Sequence, residues 1–435
     1  MIDRSAATTL LAIGMMATCS LRAQDSAPRS SEQKDLVAEW FALDSRNRED
    51  RSRQLEIIER LDLVFLEKDS AIKKWRKAIE KHWLRDGPRL ERNGDNWYFE
   101  QRFFGDESAE RGRYIVGGET KRPRGLLISM HGGGAGSGDA GGAHNAYSSA
   151  ASRLGLVSIS PEVLDKTEYG WTDSGSEEFV LDLVDAAIRT WKIDPNRVYF
   201  AGHSMGGYGS WTLGAHHADR VAGLAPSAGA PTPILERGSD RVLDVEEGII
   251  PNLRNTRIAI FQSIDDPRVP PEPNQRAVEL LGEAQERWGG YDFEYWEVDG
   301  RGHGLPPGGT VELLKKVVES ERNVLPERIT WQPTLSWKRQ FYWLHWEQPV
   351  PNAILQIDRN GNTVSIESEN ELRGLELLID ERLFDLEQEI VIEVNGEETF
   401  RGHAQRTLGS LLKTSLHPDE HLQFTARVPV LGGDG

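Results

Sequence analysis

Residues 197–209 read Arg-Val-Tyr-Phe-Ala-Gly-His-Ser-Met-Gly-Gly-Tyr-Gly. The apolar run that ends at Ala201 is typical of a buried strand, and the pattern Gly-x-Ser-x-Gly follows it at residues 202–206. The pattern needs its glycines because side chains at both ends would clash with the neighbouring strand and helix backbone. Such a turn strains the backbone of Ser204 and exposes its hydroxyl above the sheet. We therefore predict that Ser204 is a nucleophile.

Strand and helix patterns alternate on both sides of this turn. A capping-box spacing between Ser174 and Glu177 precedes a helix with an apolar side. Strands alternating with helices are typical of an α/β fold, a mostly parallel sheet covered on both faces. The strands are predicted at residues 97–104, 113–116, 125–130, 156–159, 197–201, 258–262 and 293–298.

A serine hydroxyl reacts only when a base takes its proton. In folds with this turn, the acid and then the histidine follow the serine along the chain. His303 comes just after the strand predicted at 293–298, and Gly302 and Gly304 let its loop turn the imidazole toward Ser204. We predict His303 as the base. Four other histidines come too early in the chain: His131, His144, His216 and His217.

The acid that orients this histidine should follow the strand predicted at 258–262. Asp265 and Asp266 both do so. Asp266 is preferred because it begins Asp-Pro-Arg-Val-Pro, whose valine and proline would fix the loop against the next helix. Its expected role is to set the tautomer of His303 and to stabilise the imidazolium, while Asp265 is expected to be solvated.

Two backbone N–H groups are needed to stabilise the negative charge that develops on the substrate oxygen. One is expected from Met205, directly after the nucleophile. The other is expected from the glycine-rich loop at 131–134, where either Gly132 or Gly133 fits. A phosphate-binding loop is disfavoured there because no Gly-Lys-Ser/Thr follows.

The flanking regions differ from the central one. We predict an export signal at 1–23, a linker and N-terminal helical segment at 24–95 packed on the main domain, a catalytic domain at 96–325, and a small all-β domain at 326–435. The last region has short alternating runs and the hairpin signal Asn395-Gly396. Its aromatic residues are interpreted as sandwich core rather than as a surface that stacks on sugars: Trp331, Trp337, Phe341, Tyr342, Trp343 and Trp346.

Composition limits the function classes. The chain has 435 residues and a formal net charge of −18, which disfavours nucleic acid as a partner. Arg4, the apolar run 6–17 and the small residues after it are typical of an export signal, cut between Cys19 and Ala23. Cys19 is the only cysteine, so we expect neither disulfides nor a thiolate metal site. No long apolar stretch that would span a membrane follows the N-terminus.

Residues 194–209, from Asp194-Pro195-Asn196-Arg197 through the serine turn, resemble the esterase and predicted-peptidase branch of the α/β-hydrolase superfamily. That branch includes polyhydroxybutyrate depolymerase-like and feruloyl esterase-like enzymes and approaches the catalytic domain of prolyl oligopeptidases. The resemblance covers about residues 113–320. It implies the α/β-hydrolase fold, a triad of Ser204, Asp266 and His303, and Met205 with the glycine loop as oxyanion hole. Relatives often have His-Gly before the acid loop, whereas this chain has Gln262-Ser263.

We expect an exported serine hydrolase that cleaves carboxylic esters of small molecules or polymers, with no cofactor or metal. Trp171 and Asp173 are predicted to contact substrate because their loop lies between a strand and a helix on the active side of the sheet. A serine peptidase remains an alternative, since the same triad serves amides. A glycan- or surface-binding protein that acts through residues 331–435 is an alternative of another class.

Overall fold

The computed structural model describes residues 26–87, 89–90, 101–106 and 111–431. The predicted export signal at 1–23 and the first part of the strand predicted at 97–104 lie outside the described residues. None of the helices in the described part of the chain has the length and apolar character needed to cross a membrane.

The catalytic region contains one eight-stranded sheet. In chain order its strands are β1 (Gln101–Asp106), β2 (Arg111–Gly118), β3 (Gly125–Met130), β4 (Leu156–Pro161), β5 (Val198–His203), β6 (Gly223–Ser227), β9 (Arg257–Ser263) and β10 (Phe293–Val298), with a separate hairpin of β7 (Pro233–Leu235) and β8 (Val242–Val245). The spatial order is β1-β2-β4-β3-β5-β6-β9-β10. β1, β2 and β4 pair antiparallel, and all pairs from β4 to β10 are parallel. The predicted parallel sheet is therefore confirmed.

Helices cover both faces of this sheet, because neighbouring side chains of each central strand point to opposite sides. These helices are α4 (Ala140–Arg153), α5 (Ser176–Trp191), α6 (Met205–His216), α7 (Glu272–Trp288) and α8 (Thr310–Leu314). Leu126 and Ile128 of β3 pack into one apolar cluster and Leu127 into another. The first cluster also holds residues of α5, α6 and α7, and the second holds residues of α4 and α8. Short 3-10 helices form at Ala218–Arg220 and Pro251–Asn255.

The C-terminal region has two sheets that enclose one apolar core. Strands β11 (Arg328–Trp331), β14 (Leu355–Asn360), β15 (Thr363–Glu367), β17 (Ile390–Val394) and β18 (Glu397–Gly402) form the first sheet. Strands β12 (Gln340–Phe341), β13 (Leu344–Trp346), β16 (Leu375–Ile379) and β19 (Ala426–Pro429) form the second. The all-β prediction is confirmed, and the region also carries α9 (Leu408–Lys413) and a 3-10 helix at Glu420–Leu422.

Local signals in this region have the expected structural basis. Asn395 and Gly396 adopt φ of 51° and 84° between the paired residues Val394 and Glu397, as a two-residue hairpin turn requires. The aromatic side chains that are buried in the core, as predicted, are Trp331, Phe341, Tyr342, Trp343 and Trp346. Trp337 is only half-buried and stacks on His217 of the catalytic region.

The N-terminal helices are α1 (Ser30–Ala42), α2 (Arg48–Asp62) and α3 (Asp69–Asp86). Their apolar faces form a cluster with Leu408, Leu411 and Leu412 of α9. Arg51 binds Glu347 and Arg427 binds Asp62, which adds ion pairs between the helices and the C-terminal region. The apolar cluster of these helices is therefore completed by α9, whereas their contacts with the catalytic region include Arg46 with Asp182 and Trp83 with Arg189.

Candidate active site

Ser204 lies between the end of β5 and the start of α6. Its backbone has φ 60° and ψ −125°, a conformation that a serine adopts only when its surroundings impose it. A Cβ on Gly202 would lie 2.1 Å from the Gly206 carbonyl oxygen, and one on Gly206 would lie 2.1 Å from the Met130 oxygen. Both glycines are therefore required by close backbone contacts, and the turn holds Ser204 at the carboxyl edge of the sheet.

His303 reaches this serine from a loop after β10. Its Nε2 lies 2.9 Å from Ser204 Oγ, and its Nδ1 lies 2.8 Å from Asp266 Oδ2. Because the carboxylate can only accept, Nδ1 carries the proton and Nε2 is left to accept the serine hydroxyl. The three side chains thus form a continuous chain of hydrogen bonds that could remove the proton from Ser204.

The carboxylate that reaches the imidazole is that of Asp266, in the loop after β9. Its side chain is fully buried. Asp266 Oδ1 also accepts hydrogen bonds from the backbone N–H groups of Arg268 at 2.8 Å and Val269 at 3.0 Å. These bonds satisfy a buried charge and fix the orientation of the carboxylate.

Asp265 has a different and unpredicted set of contacts. Its Oδ1 accepts hydrogen bonds from the Ser263 hydroxyl at 2.5 Å, from Gly302 N–H at 3.0 Å and from Arg301 N–H at 3.2 Å. The Ser263 hydroxyl and then these backbone N–H groups lower the pKa of this exposed carboxyl. The side chain expected to be merely solvated therefore fastens the loop that carries His303.

Gln262 is where the chain departs from the family pattern, and its amide fastens the acid loop. Its Nε2 donates to the carbonyl oxygens of Ser263 and Val269, both at 3.0 Å, and its Oε1 accepts from Asn274 at 2.8 Å. Gln262 and Asn274 are fully buried. Val269 is therefore held by its carbonyl to Gln262 and by its N–H to Asp266.

The glycine-rich loop after β3 packs directly on the serine turn. A Cβ on Gly132 would lie 3.1 Å from Ser204 Cβ and 2.8 Å from the His203 carbonyl oxygen. Gly133 instead faces Ser137, since a Cβ on Gly133 would lie 2.5 Å from the Ser137 carbonyl oxygen. Of the two glycines proposed as donors, Gly132 is the one in contact with Ser204, and Met205 is the first residue of α6.

Trp171 binds the backbone of the glycine-rich loop. It is fully buried, and its indole N–H donates to the His131 carbonyl at 3.2 Å. The prediction that Trp171 contacts substrate is therefore wrong, because its ring is closed off from solvent. Asp173 is half-buried and accepts a hydrogen bond from the Thr167 hydroxyl at 2.6 Å, which ties together the loop that follows β4.

His203 is a neighbour of the site that the sequence interpretation left unassigned. Its ring centroid lies 4.9 Å from that of His303, and its Nδ1 lies 3.1 Å from Ser227 Oγ. Burial, together with the nearby His303, lowers the pKa of His203 to about 4. His203 is therefore neutral near pH 7 and adds no charge beside the base.

Two of the histidines excluded by chain order, His216 and His217, share a buried carboxylate as partner. His216 Nδ1 and His217 Nε2 both contact the buried carboxylate of Glu177, at 3.1 and 3.0 Å. The capping box predicted for Glu177 is wrong, because Gly175 precedes α5 and Glu177 is turned toward these rings. Within the described ranges, no group of three His, Cys, Asp or Glu side chains is arranged to hold a metal ion.

Comparisons with known proteins give similarities at low identity. No model of a protein family and no curated protein matches the chain. A thermostable esterase is 22% identical over 52% of this chain and 63% of its own, with a TM-score of 0.39. A ferulic acid esterase from Anaeromyces mucronatus is 17% identical over 54% and 95%, with a TM-score of 0.34. A poly(3-hydroxybutyrate) depolymerase from Bordetella parapertussis is 18% identical over 50% and 92%, with a TM-score of 0.35.

This chain thus spans less than two thirds of the length of the thermostable esterase. The fold itself follows from the strand order, the parallel register that sets Gly202 beside Met130, and the serine turn between β5 and α6. The catalytic region has the α/β-hydrolase fold.

Proposed function

We propose that this protein is a serine hydrolase that cleaves carboxylic esters through an acyl-enzyme intermediate. The observation that supports the proposal is the hydrogen-bonded series Ser204, His303 and Asp266, with 2.9 Å and 2.8 Å between successive polar atoms. A nucleophile, a base in contact with it and a carboxylate behind the base are the groups that this chemistry needs.

In the first step, His303 Nε2 takes the proton of Ser204 while Oγ bonds to the ester carbonyl carbon. The carbonyl oxygen becomes negative, and the backbone N–H groups of Met205 and Gly132 are proposed to stabilise it. The tetrahedral intermediate then expels the alcohol, which takes the proton from His303. Water, deprotonated by the same nitrogen, attacks the acyl group and releases the acid and free Ser204.

Asp266 contributes by holding the imidazole and by stabilising its charged form. The two backbone bonds to Oδ1 keep this carboxylate in place during both steps. Asp265 binds the backbone of the loop that carries His303. The distance from His303 to Ser204 therefore depends on both carboxylates.

The test is hydrolysis of p-nitrophenyl acetate by the wild type, by Ser204→Ala and by Ser336→Ala, an exposed serine in the C-terminal region. We expect Ser204→Ala to lose a factor on the order of 10³ or more in kcat/KM and the control to keep full activity. Labelling with a fluorophosphonate, mapped by mass spectrometry, should modify Ser204 alone. Equal rates in all three proteins would reject the proposal, and turnover of peptides with no turnover of esters would replace it by a serine peptidase.

We also propose that the protein is exported. The support is the sequence pattern at 1–23, a basic residue followed by an apolar run and small residues. Determination of the N-terminus of the protein recovered from its native host should give a start between residues 20 and 24. A protein that starts at residue 1 or 2 would contradict export by this signal.

A further inference from the structure

Exposed apolar side chains are concentrated around the candidate active site. The described residues include ten large apolar side chains that are exposed, and five of them lie in connections that follow strands of the main sheet at its carboxyl edge, either in loops or in the β7–β8 hairpin. We call these five the apolar rim: Tyr169, Ile234, Leu235, Leu243 and Ile264, with exposed fractions of 50, 44, 49, 38 and 51%. Single exposed apolar residues need no explanation, but a group of them beside one site does.

Tyr169 joins the rim to the serine turn through Tyr208. The two rings meet edge to face with 5.5 Å between centroids. Tyr208 lies one helical turn after Ser204, since its N–H donates to the Ser204 carbonyl at 3.1 Å. Glu168, which precedes Tyr169, faces Gly134 of the glycine-rich loop. A Cβ on that glycine would lie 3.5 Å from the Glu168 carboxylate.

The hairpin of β7 and β8 carries three further members of the rim. It starts four residues after Gly229, and a Cβ on Gly229 would lie 2.1 Å from the Ser204 carbonyl oxygen. Because an extended chain advances at most ~3.6 Å per residue, Ile234 lies within about 18 Å of Gly229. Thr232, the residue before β7, interacts with the Tyr208 hydroxyl, so the base of the hairpin lies next to Tyr208.

Ile264 lies on the other side of the site. It directly precedes Asp265 and Asp266, and its N–H donates to the carbonyl of Val298 at the end of β10. The rim thus reaches the two loops that carry the acid and the histidine. The loops that carry Tyr169 and Ile264 follow β4 and β9, which lie on opposite sides of β5 in the sheet.

The charges near the rim are mainly negative. The loop of Tyr169 holds Asp165, Glu168 and Asp173 against Lys166. The hairpin holds three acidic and two basic residues, and the whole chain has a formal net charge of −18. An anionic substrate would be repelled from this surface, and a long neutral chain would bury apolar area on it.

We propose that the apolar rim binds the apolar chain of the substrate, so that the preferred substrates are uncharged esters with an extended aliphatic chain. This inference rests on the proposed function, because the rim matters only if Ser204 attacks an ester. It adds the substrate class, which the catalytic residues alone do not determine.

The experiment compares p-nitrophenyl octanoate with p-nitrophenyl acetate below the micelle concentration. The rim variants are Tyr169→Ser and the double variant Ile234→Ser with Leu235→Ser. The control is Val350→Ser with Ile354→Ser, two residues of the C-terminal region with 37% exposure each. We expect the octanoate to acetate ratio of kcat/KM to exceed one in the wild type, to fall about tenfold in each rim variant, and to stay constant in the control. Octyl acetate and ethyl acetate, compared in the same way, show whether the rim takes the acyl or the alcohol side.

Three results would overturn the inference: no preference for either long chain in the wild type, an unchanged ratio in both rim variants, or the same loss in the control. A drop in oligomer mass in the hairpin variant with an unchanged ratio would identify the rim as a protein contact instead. Thermal unfolding of each variant checks that the fold is kept. If the wild type and Ser204→Ala hydrolyse both esters equally, the proposed function is rejected. If the activity depends on Ser204 but shows no chain-length preference, only the role of the apolar rim in substrate binding is rejected.

Discussion

Asp265 and Asp266 are neighbours in the chain, yet they hold the loop of His303 at two different points. Asp266 accepts from the imidazole Nδ1, and Asp265 accepts from the backbone N–H groups of Arg301 and Gly302. The end of one strand thus controls both the orientation of the histidine ring and the position of its backbone.

The first prediction separates these two roles. Asp266→Asn should lower kcat by a factor on the order of 10³ or more, because the amide no longer stabilises the imidazolium. Asp265→Asn keeps the size of the side chain but weakens charge-assisted bonds to the loop, so we expect kcat to fall about tenfold with little change in KM. Steady-state kinetics on p-nitrophenyl acetate measure both.

The pH profile tests whether Asp265 acts by positioning. Its pKa lies below the usual range, so the ionised form that holds the loop persists in mild acid and is lost as pH falls through that lowered pKa. Asp265→Asn should therefore remove part of the acid-side loss of kcat. Asp35→Asn, an exposed carboxylate on α1, is the control, and an equal effect of both substitutions would contradict the positioning role.

The second prediction concerns the glycines of the serine turn. Gly202→Ala and Gly206→Ala each place a Cβ 2.1 Å from a backbone oxygen, so the strand and helix must separate. We expect a loss of about 2–4 kcal/mol in the free energy of unfolding and loss of activity. Gly282→Ala, on α7 with open space around its Cβ, should instead stabilise by about 0.5–1 kcal/mol. Urea unfolding checks all three, and a tolerated Gly206→Ala would refute the close contact.

The serine turn is recognisable in the sequence for a physical reason. The backbone contacts at Gly202 and Gly206 leave almost no alternative residue, so a local pattern is enough to recognise them. The fold class followed from the same kind of local signal, because buried parallel strands require apolar runs.

Where interpretation failed, the deciding contacts were distant in sequence. Glu177 has the spacing of a capping box, but His216 and His217, about forty residues later, take its carboxylate. Trp171 was expected to contact substrate, but its ring is fully buried and its indole N–H donates to the His131 carbonyl. The N-terminal helices pack on α9, over 300 residues away, and their amphipathic pattern does not specify that partner.

The third prediction concerns Gln262. Gln262→Leu removes three buried hydrogen bonds: those to the carbonyl groups of Ser263 and Val269 and the one from the amide of Asn274. We expect a loss of about 2–3 kcal/mol in stability and a lower kcat, because Val269 also donates to Asp266. The exposed Gln405→Leu serves as control. Equal unfolding midpoints for both variants in urea would show that the amide does not fasten the acid loop.

The fourth prediction concerns acid stability. Burial lowers the pKa of His203, His217 and His345 to about 4 each, against an ordinary value of about 6.5. Below pH 6.5 the unfolded chain therefore binds protons that the folded protein does not. Each of these histidines lowers the free energy of unfolding by ~1.4 kcal/mol per pH unit between pH 6.5 and 4, and stability falls with acidification.

His216 and Glu177 also have shifted pKa values, but neither opposes the loss of stability between pH 6.5 and 4.5. The pKa of His216 is raised by the carboxylate of Glu177 despite burial, so this histidine binds its proton in the folded state above pH 6.5. Burial favours the neutral form of Glu177, but the two histidines hold its pKa at about 2, so its contribution is lost only as pH falls below about 4.5. The slope between pH 6.5 and 4.5 should therefore come from the buried neutral histidines.

Urea unfolding at half-unit steps from pH 7 to 4.5 measures this slope in the wild type and in two variants. His203→Asn should reduce it by ~1.4 kcal/mol per pH unit, because one proton fewer is taken up on unfolding. His403→Asn, at an exposed position, is the matched control and should leave the slope as it is. A wild type whose stability is constant or rises toward pH 5 would mean that these histidines are already protonated in the folded protein, and His203 would then place a positive charge beside His303.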